Sequence, residues 1–143
     1  QTSMRIEKGF CAMGHELDSD VTPIDAGLGF ATRKSGGFIG ADALAAQRDQ
    51  NAPSRMVSLR ISDKTAVPLG HEPVYLGDRI IGQTTSASYG YRLDCPVALA
   101  LLKAPVGDGT TVAVDIAGVK FAAQVVLGPL FDATGARLTL QTT

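Results

Sequence analysis

The residues able to carry chemistry are few, and their spacing favours little of it. His15 and His71 are the only histidines, and neither stands in a His-x-x-x-His or Cys-x-x-Cys arrangement, so no metal ligand set is read here. A loop hydrogen bond is the plainer reading for both. Glu16, Asp18 and Asp20 follow His15 with carboxylate spacing that a calcium loop would use. They lack the sixth-position glycine and the closing glutamate, which predicts a solvated loop instead. Gly36-Gly37-Phe38-Ile39-Gly40 precedes a helical stretch, yet no Lys-Ser/Thr follows and no strong strand leads in. Backbone packing, not phosphate binding, is the expectation there. Thr84-Thr85-Ser86-Ala87-Ser88-Tyr89-Gly90-Tyr91 is dense in hydroxyls and rings. It reads equally as a ligand-lining segment or as a wide connection between strands. No Gly-x-Ser-x-Gly marks Ser86 or Ser88 as a nucleophile.

The chain that must position these groups has 143 residues, enough for one domain or two small ones sharing an interface. Hydrophobic residues make up 45% and mean hydropathy is +0.13, which excludes a disordered tail. Lys and Arg number 13 against 14 Asp and Glu, so no basic stripe offers itself to nucleic acid. No run of eighteen apolar residues predicts a membrane-spanning helix. Cys11 and Cys95 are too few for a disulfide framework. A single bond between them stays open beside the preferred reading, two reduced thiols in a cytoplasmic protein. No basic-then-apolar leader is visible, and a first residue other than Met fits a processed chain or a piece of a longer one.

Character changes near residue 50. Residues 1–35 are rich in Gly and charge; Met4–Ile6 reads as a short strand, with Arg5 and Glu7 as a mutual or backbone-paired structural element. Residues 18–23 read as a turn or loop. Leu44 with Ala41, Ala45 and Arg48 gives a short helix over 41–48, and 49–54 has linker composition. Beyond that the pattern is strand. Val57, Leu59 and Ile61 alternate with polar neighbours; 74–76 and 79–82 flank a Gly-Asp turn; 97–102 is a continuous apolar run, as a strand buried on both faces requires. Val112–Ile116 and Val119–Leu127 alternate about Ala117-Gly118, the cleanest hairpin in the chain. The fold class expected is mainly β: an α+β remnant followed by a small six-stranded barrel or jelly-roll-like domain.

Several stretches in order carry a resemblance. Met4-Arg5-Ile6-Glu7-Lys8-Gly9-Phe10, Gly14-His15-Glu16-Leu17, the stretch from Thr22-Pro23-Ile24-Asp25 to Gly29-Phe30, Phe38-Ile39-Gly40 and Ala43-Leu44 resemble the glycine-cleavage T-protein (aminomethyltransferase) family. The spellings are closest to the folate-binding half of sarcosine and dimethylglycine dehydrogenases. Gly82-Gln83-Thr84-Thr85-Ser86 with Val97-Ala98-Leu99-Ala100 resembles that family's barrel. The resemblance runs from about residue 3 to 130. It implies three parts: 1–50, the end of the folate-binding domain; 55–130, the C-terminal barrel; 131–143, a tail.

It also implies a function. Members transfer a one-carbon unit from an aminomethyl or N-methyl-derived donor to tetrahydrofolate. In the dehydrogenase branch an upstream domain with FAD oxidises a small methylated amine. The catalytic aspartate and the residues that grip the pterin fall upstream of Gln1, so no catalytic residue is carried over. Three cofactor-binding positions are. Phe10 and Phe30 match apolar and aromatic positions along the folate, and Arg55 lies within one position of a basic residue that meets its glutamate tail. Plain core packing is the alternative for both rings, and a solvated strand end for Arg55. The expected partner is the missing N-terminal part of the same polypeptide or domain. Without it the chain should lack transferase activity, expose an apolar face and self-associate. The rival reading is a non-catalytic scaffold or interaction module that keeps the family fold.

Overall fold

The computed structural model describes residues 1–49 and 54–137. Its elements run α1 (Thr2–Glu7), a 3-10 turn (Gly29–Ala31), α2 (Ala41–Asp49), β1 (Arg55–Ile61), β2 (Pro73–Leu76), β3 (Arg79–Gly90), β4 (Cys95–Leu102), β5 (Thr111–Ile116) and β6 (Val119–Val126). The six strands close into an antiparallel barrel in the order β1-β4-β3-β2-β5-β6, with β6 pairing back onto β1. The mainly β class read from the sequence holds, as do the helix near 41–48 and both hairpins. Most of the linker composition at 49–54 falls outside the described residues.

Period two builds the interior. Val57, Leu59 and Ile61 of β1 point inward and meet Val74, Val114 and Val125 from other strands in one cluster. Ala98, Ala100 and Ala123 also face in, and small side chains let a narrow six-stranded barrel fill without voids. β4 is buried on both faces, as its apolar run required, because something covers its outside. Cys95, Val97 and Leu99 point outward into a second cluster with Ile6 of α1.

That contact explains why Met4–Ile6 is helical where a strand was expected. Six residues show too little periodicity to betray a helix, and a helix this short is marginal alone. Burial of Ile6 on β4 stabilises it by about 1.5–3 kcal/mol. β3 departs from expectation too. It does not end at Gly82 but continues to Gly90, so the hydroxyl-rich stretch is strand and not a connection. Its alternation is hidden by a bulge: Thr84 pairs with Ala100 and Ser86 with Leu99, leaving Thr85 extra. Thr84, Thr85 and Ser86 are all buried as a result.

The chain after β6 returns to α1. Leu130 packs on the outer cluster, the Phe131 N–H donates to the Glu7 carbonyl (2.9 Å), and Lys8 pairs with Asp132 (2.9 Å). The guanidinium carbons of Arg92 and Arg137 lie 4.8 and 5.2 Å from the centre of the Phe131 ring. Residues 128–137 thus form a strap across the N-terminal helix; 138–143 lie outside the described residues.

Candidate functional site

The N-terminal segment is held by charge more than by oil. Glu16 is fully buried, and its carboxylate gathers four groups at the β3 bulge. Arg5 reaches one oxygen at 3.0 Å, and the Ala12 N–H donates to the same oxygen at 3.0 Å. The Thr85 hydroxyl donates to the other at 2.9 Å, and Ser86 adds a further bond. Arg5 itself also donates to Ser86 (2.8 Å) and to the Phe10 carbonyl (3.2 Å). Burial pushes the Glu16 carboxyl up, but these hydrogen bonds and Arg5 outweigh it, so the group sits below the usual carboxylate range.

Two corrections follow. Glu16 belongs to no solvated loop; it is the hub that seats α1 and the 11–17 turn on the barrel. Asp18 and Asp20 are exposed, as expected, and Asp18 accepts from the N–H groups of Asp20 and Val21. Arg5 and Glu7 do not pair with each other; each is paired with backbone instead, the other reading of the sequence, Arg5 donating to the Phe10 carbonyl. Glu7 is buried and accepts the Arg92 N–H at 2.9 Å, with the Arg92 guanidinium at 3.8 Å. Successive positions of a helix point different ways, which a strand reading of Arg5–Glu7 could not anticipate. A third carboxylate, Asp25, receives Thr22 and Gln47, while its carbonyl takes the Met56 N–H of β1.

The cofactor-binding positions carried over from the resemblance lie on the outside of this segment. Phe10, in the turn after α1, is 59% exposed, and Phe30, in the 3-10 turn, is 82% exposed, which removes core packing as the account of either ring within this chain. Arg55 is exposed at the first residue of β1. Gly9 and Cys11, which flank Phe10, line a cleft of about 220 Å³ together with Arg55, Gly27 and Gly128. Neither Phe10 nor Phe30 is among its lining residues, and no ring contact joins the two phenylalanines among the described residues. The structure therefore brings Gly9, Cys11 and Arg55 to one cleft and lines it with neither ring.

Both thiols are free, Cys95 buried and Cys11 half-buried. Burial and the nearby Glu16 push the Cys11 thiol up, with Arg5 opposing. Among the described residues no cluster of three or more His, Cys, Asp or Glu side chains could hold a metal. His15 and His71 are exposed and line a second cleft of about 430 Å³ beside Arg5 and the bulge, which their spacing in sequence did not announce. No helix among the described residues is long and apolar enough to cross a membrane.

Fold and site define a terminal barrel module whose N-terminal segment is pinned inward by carboxylates and turns its rings outward. Residues 55–132 match the family model of the glycine cleavage T-protein C-terminal barrel domain, and the chain belongs to that family. It is 31% identical to mitochondrial dimethylglycine dehydrogenase of Mus musculus over 97% of its own length and 16% of that protein's. It is 33% identical to an aminomethyltransferase of Bacillus cereus, covering 90% of this chain and 36% of that one. The crystal structure of glycine cleavage system aminomethyltransferase T from Bartonella henselae superposes with a TM-score of 0.81 at 29% identity, over 92% of this chain and 38% of that one. The chain thus spans well under half the length of these relatives.

Proposed function

We propose that this chain works as the C-terminal part of a tetrahydrofolate-dependent aminomethyltransferase-like protein. In that reading a one-carbon unit from an aminomethyl or N-methyl-derived donor passes to the folate N5, which supplies the accepting nucleophile. The similarity to dimethylglycine dehydrogenase over 97% of the chain favours a parent that oxidises a small methylated amine with FAD in an upstream domain.

The observation that carries the proposal is the outward display of Phe10 and Phe30 on a segment whose own anchors are polar. A flat ring left at the surface suits a flat ligand or a second wall. Fit to the cofactor is partial by size. A cleft that buries a drug-sized ligand measures roughly 300–1,000 Å³, and the cleft at Arg55 is about 220 Å³. It suits the folate's aminobenzoyl-glutamate end, with Arg55 facing the carboxylates, while the pterin is gripped by the upstream part of the same polypeptide. That upstream part is then the partner of this chain's exposed apolar side chains, and the 143 residues alone turn over no substrate.

The test uses the complete polypeptide that carries this chain. Folate-dependent trapping of the one-carbon unit, together with weaker folate binding in F10A, supports the proposal. A complete polypeptide that binds no folate leaves the scaffold reading.

A further inference from the structure

We propose that the cleft walled by His71, Arg79 and Lys103 is a binding site for a small carboxylate- or phosphate-bearing ligand, independent of the folate reading. The cleft measures about 460 Å³, and Ile80, Ile81, Leu101 and Gln83 line it beside the basic residues. Every ionisable residue that lines it is basic.

Two of these bases share the cleft without a counter-charge among the described residues. Arg5, Lys8, Lys64 and Arg92 each face a carboxylate partner. Arg79 and Lys103 have neither an ion pair nor a side-chain hydrogen bond among the described residues. The two acids nearest in sequence do not relieve them. Asp78, beside Arg79, forms no ion pair among the described residues. Glu72, beside His71, is turned inward, where its carboxylate accepts from the N–H groups of Leu69 and Gly70 and from the Thr84 hydroxyl. Like charges gathered in a concavity beside apolar residues raise the local potential and draw an anion.

The backbone fixes where His71 sits. His71 has φ +67°, left-handed, directly after Gly70 at φ +107°. A non-glycine residue held there costs energy and persists only where its surroundings fix it. The surroundings do so: its N–H donates to the Thr84 carbonyl at 2.8 Å, and Glu72 clamps the residues just before it. These bonds fix the backbone at His71, which lines the cleft. The apolar lining residues ask for a ligand with a hydrocarbon body, and the three basic groups for its anionic end.

The complete polypeptide that carries this chain, labelled with nitrogen-15, is titrated with potassium phosphate and separately with potassium citrate, each at an ionic strength fixed by potassium chloride. The expected result is saturable shifts at the N–H groups of Gly82, Gln83 and Lys103. They should weaken at least about tenfold in the R79Q/K103Q double variant, and stay unchanged in R60Q, whose arginine lies outside the cleft. The H71G variant should bind more weakly while unfolding at a higher temperature, which separates loss of the imidazole from damage to the fold. Saturation by citrate alone assigns a carboxylate ligand, and by phosphate alone a phosphate. Shifts spread evenly over the surface, shifts that never saturate, or identical titrations of wild type and R79Q/K103Q would overturn the proposal.

Discussion

The barrel and the N-terminal segment solve opposite problems with the same twenty side chains. From β1 onward fourteen buried apolar residues form one interior cluster, while Val67, Leu69, Leu76, Ile80, Tyr91 and Val119 stay outside. Residues 1–49 bury only Ile6 and Ala26 among apolar side chains, but bury three carboxylates, Glu7, Glu16 and Asp25. The large apolar groups of that segment, Met4, Phe10, Met13, Phe30, Phe38 and Ile39, face outward. A barrel closed on itself needs nothing more. Under the proposed function, a segment anchored by ion pairs with its rings outside is completed by another surface.

Core truncation should separate the two regions most. Leu59→Ala opens a void in the barrel and should cost about 2–5 kcal/mol, read as a lower midpoint in chemical denaturation. Phe10→Ala in the same chain should stay within about 0.5 kcal/mol, because its ring is already in water. Similar losses from both substitutions would break the contrast.

Glu16→Gln comes next. It strips the partner from Arg5, whose side chain is 17% exposed, and should cost about 3 kcal/mol, the low end for a broken buried pair. The loss should be local: hydrogen exchange quickens across residues 1–17, while barrel amides keep their protection. Acid should do the same more gently. Glu16 and Glu72 both have carboxyls below the usual range, Glu72 because the Thr84 hydroxyl and backbone N–H groups outweigh its burial. The native state then binds fewer protons than the unfolded chain. Their contribution is complete above the unfolded carboxyl value of about 4.3 and is lost as pH falls through the lowered native values. An acid limb equally steep in Glu16→Gln and wild type would remove Glu16 from that account.

Phe131→Ala sharpens the picture from the strap. Two guanidinium–ring contacts at about 0.5–1 kcal/mol each predict a loss near 1–2 kcal/mol, again concentrated on α1. The smallest effect concerns Cys11, whose raised thiol should alkylate more slowly at neutral pH than a free model thiol.

How legible each region was follows from the same physics. Strict alternation in β1, β5 and β6, and the two-sided apolar run of β4, are direct images of a barrel wall, so the sequence shows them. Thr84-Thr85-Ser86 broke the alternation because the strand bulges there and the N-terminal segment covers Thr85 and Ser86, and hydroxyls are not how a buried strand usually looks. α1 was misread because one turn and a half carries no period. Glu16 was missed because an acidic cluster after a histidine looks solvated until its partner, Arg5, eleven residues earlier, is folded over it. Phe10 and Phe30 could be named only through a family likeness, since nothing in their own neighbourhood says whether a ring goes in or out.

The most direct test of the central claim is calorimetric titration of tetrahydrofolate into the complete polypeptide carrying this chain, wild type beside Phe10→Ala. Binding that weakens about tenfold or more in the variant, with barrel stability unchanged, is the predicted result. Equal affinity for both proteins would contradict the role given to this segment.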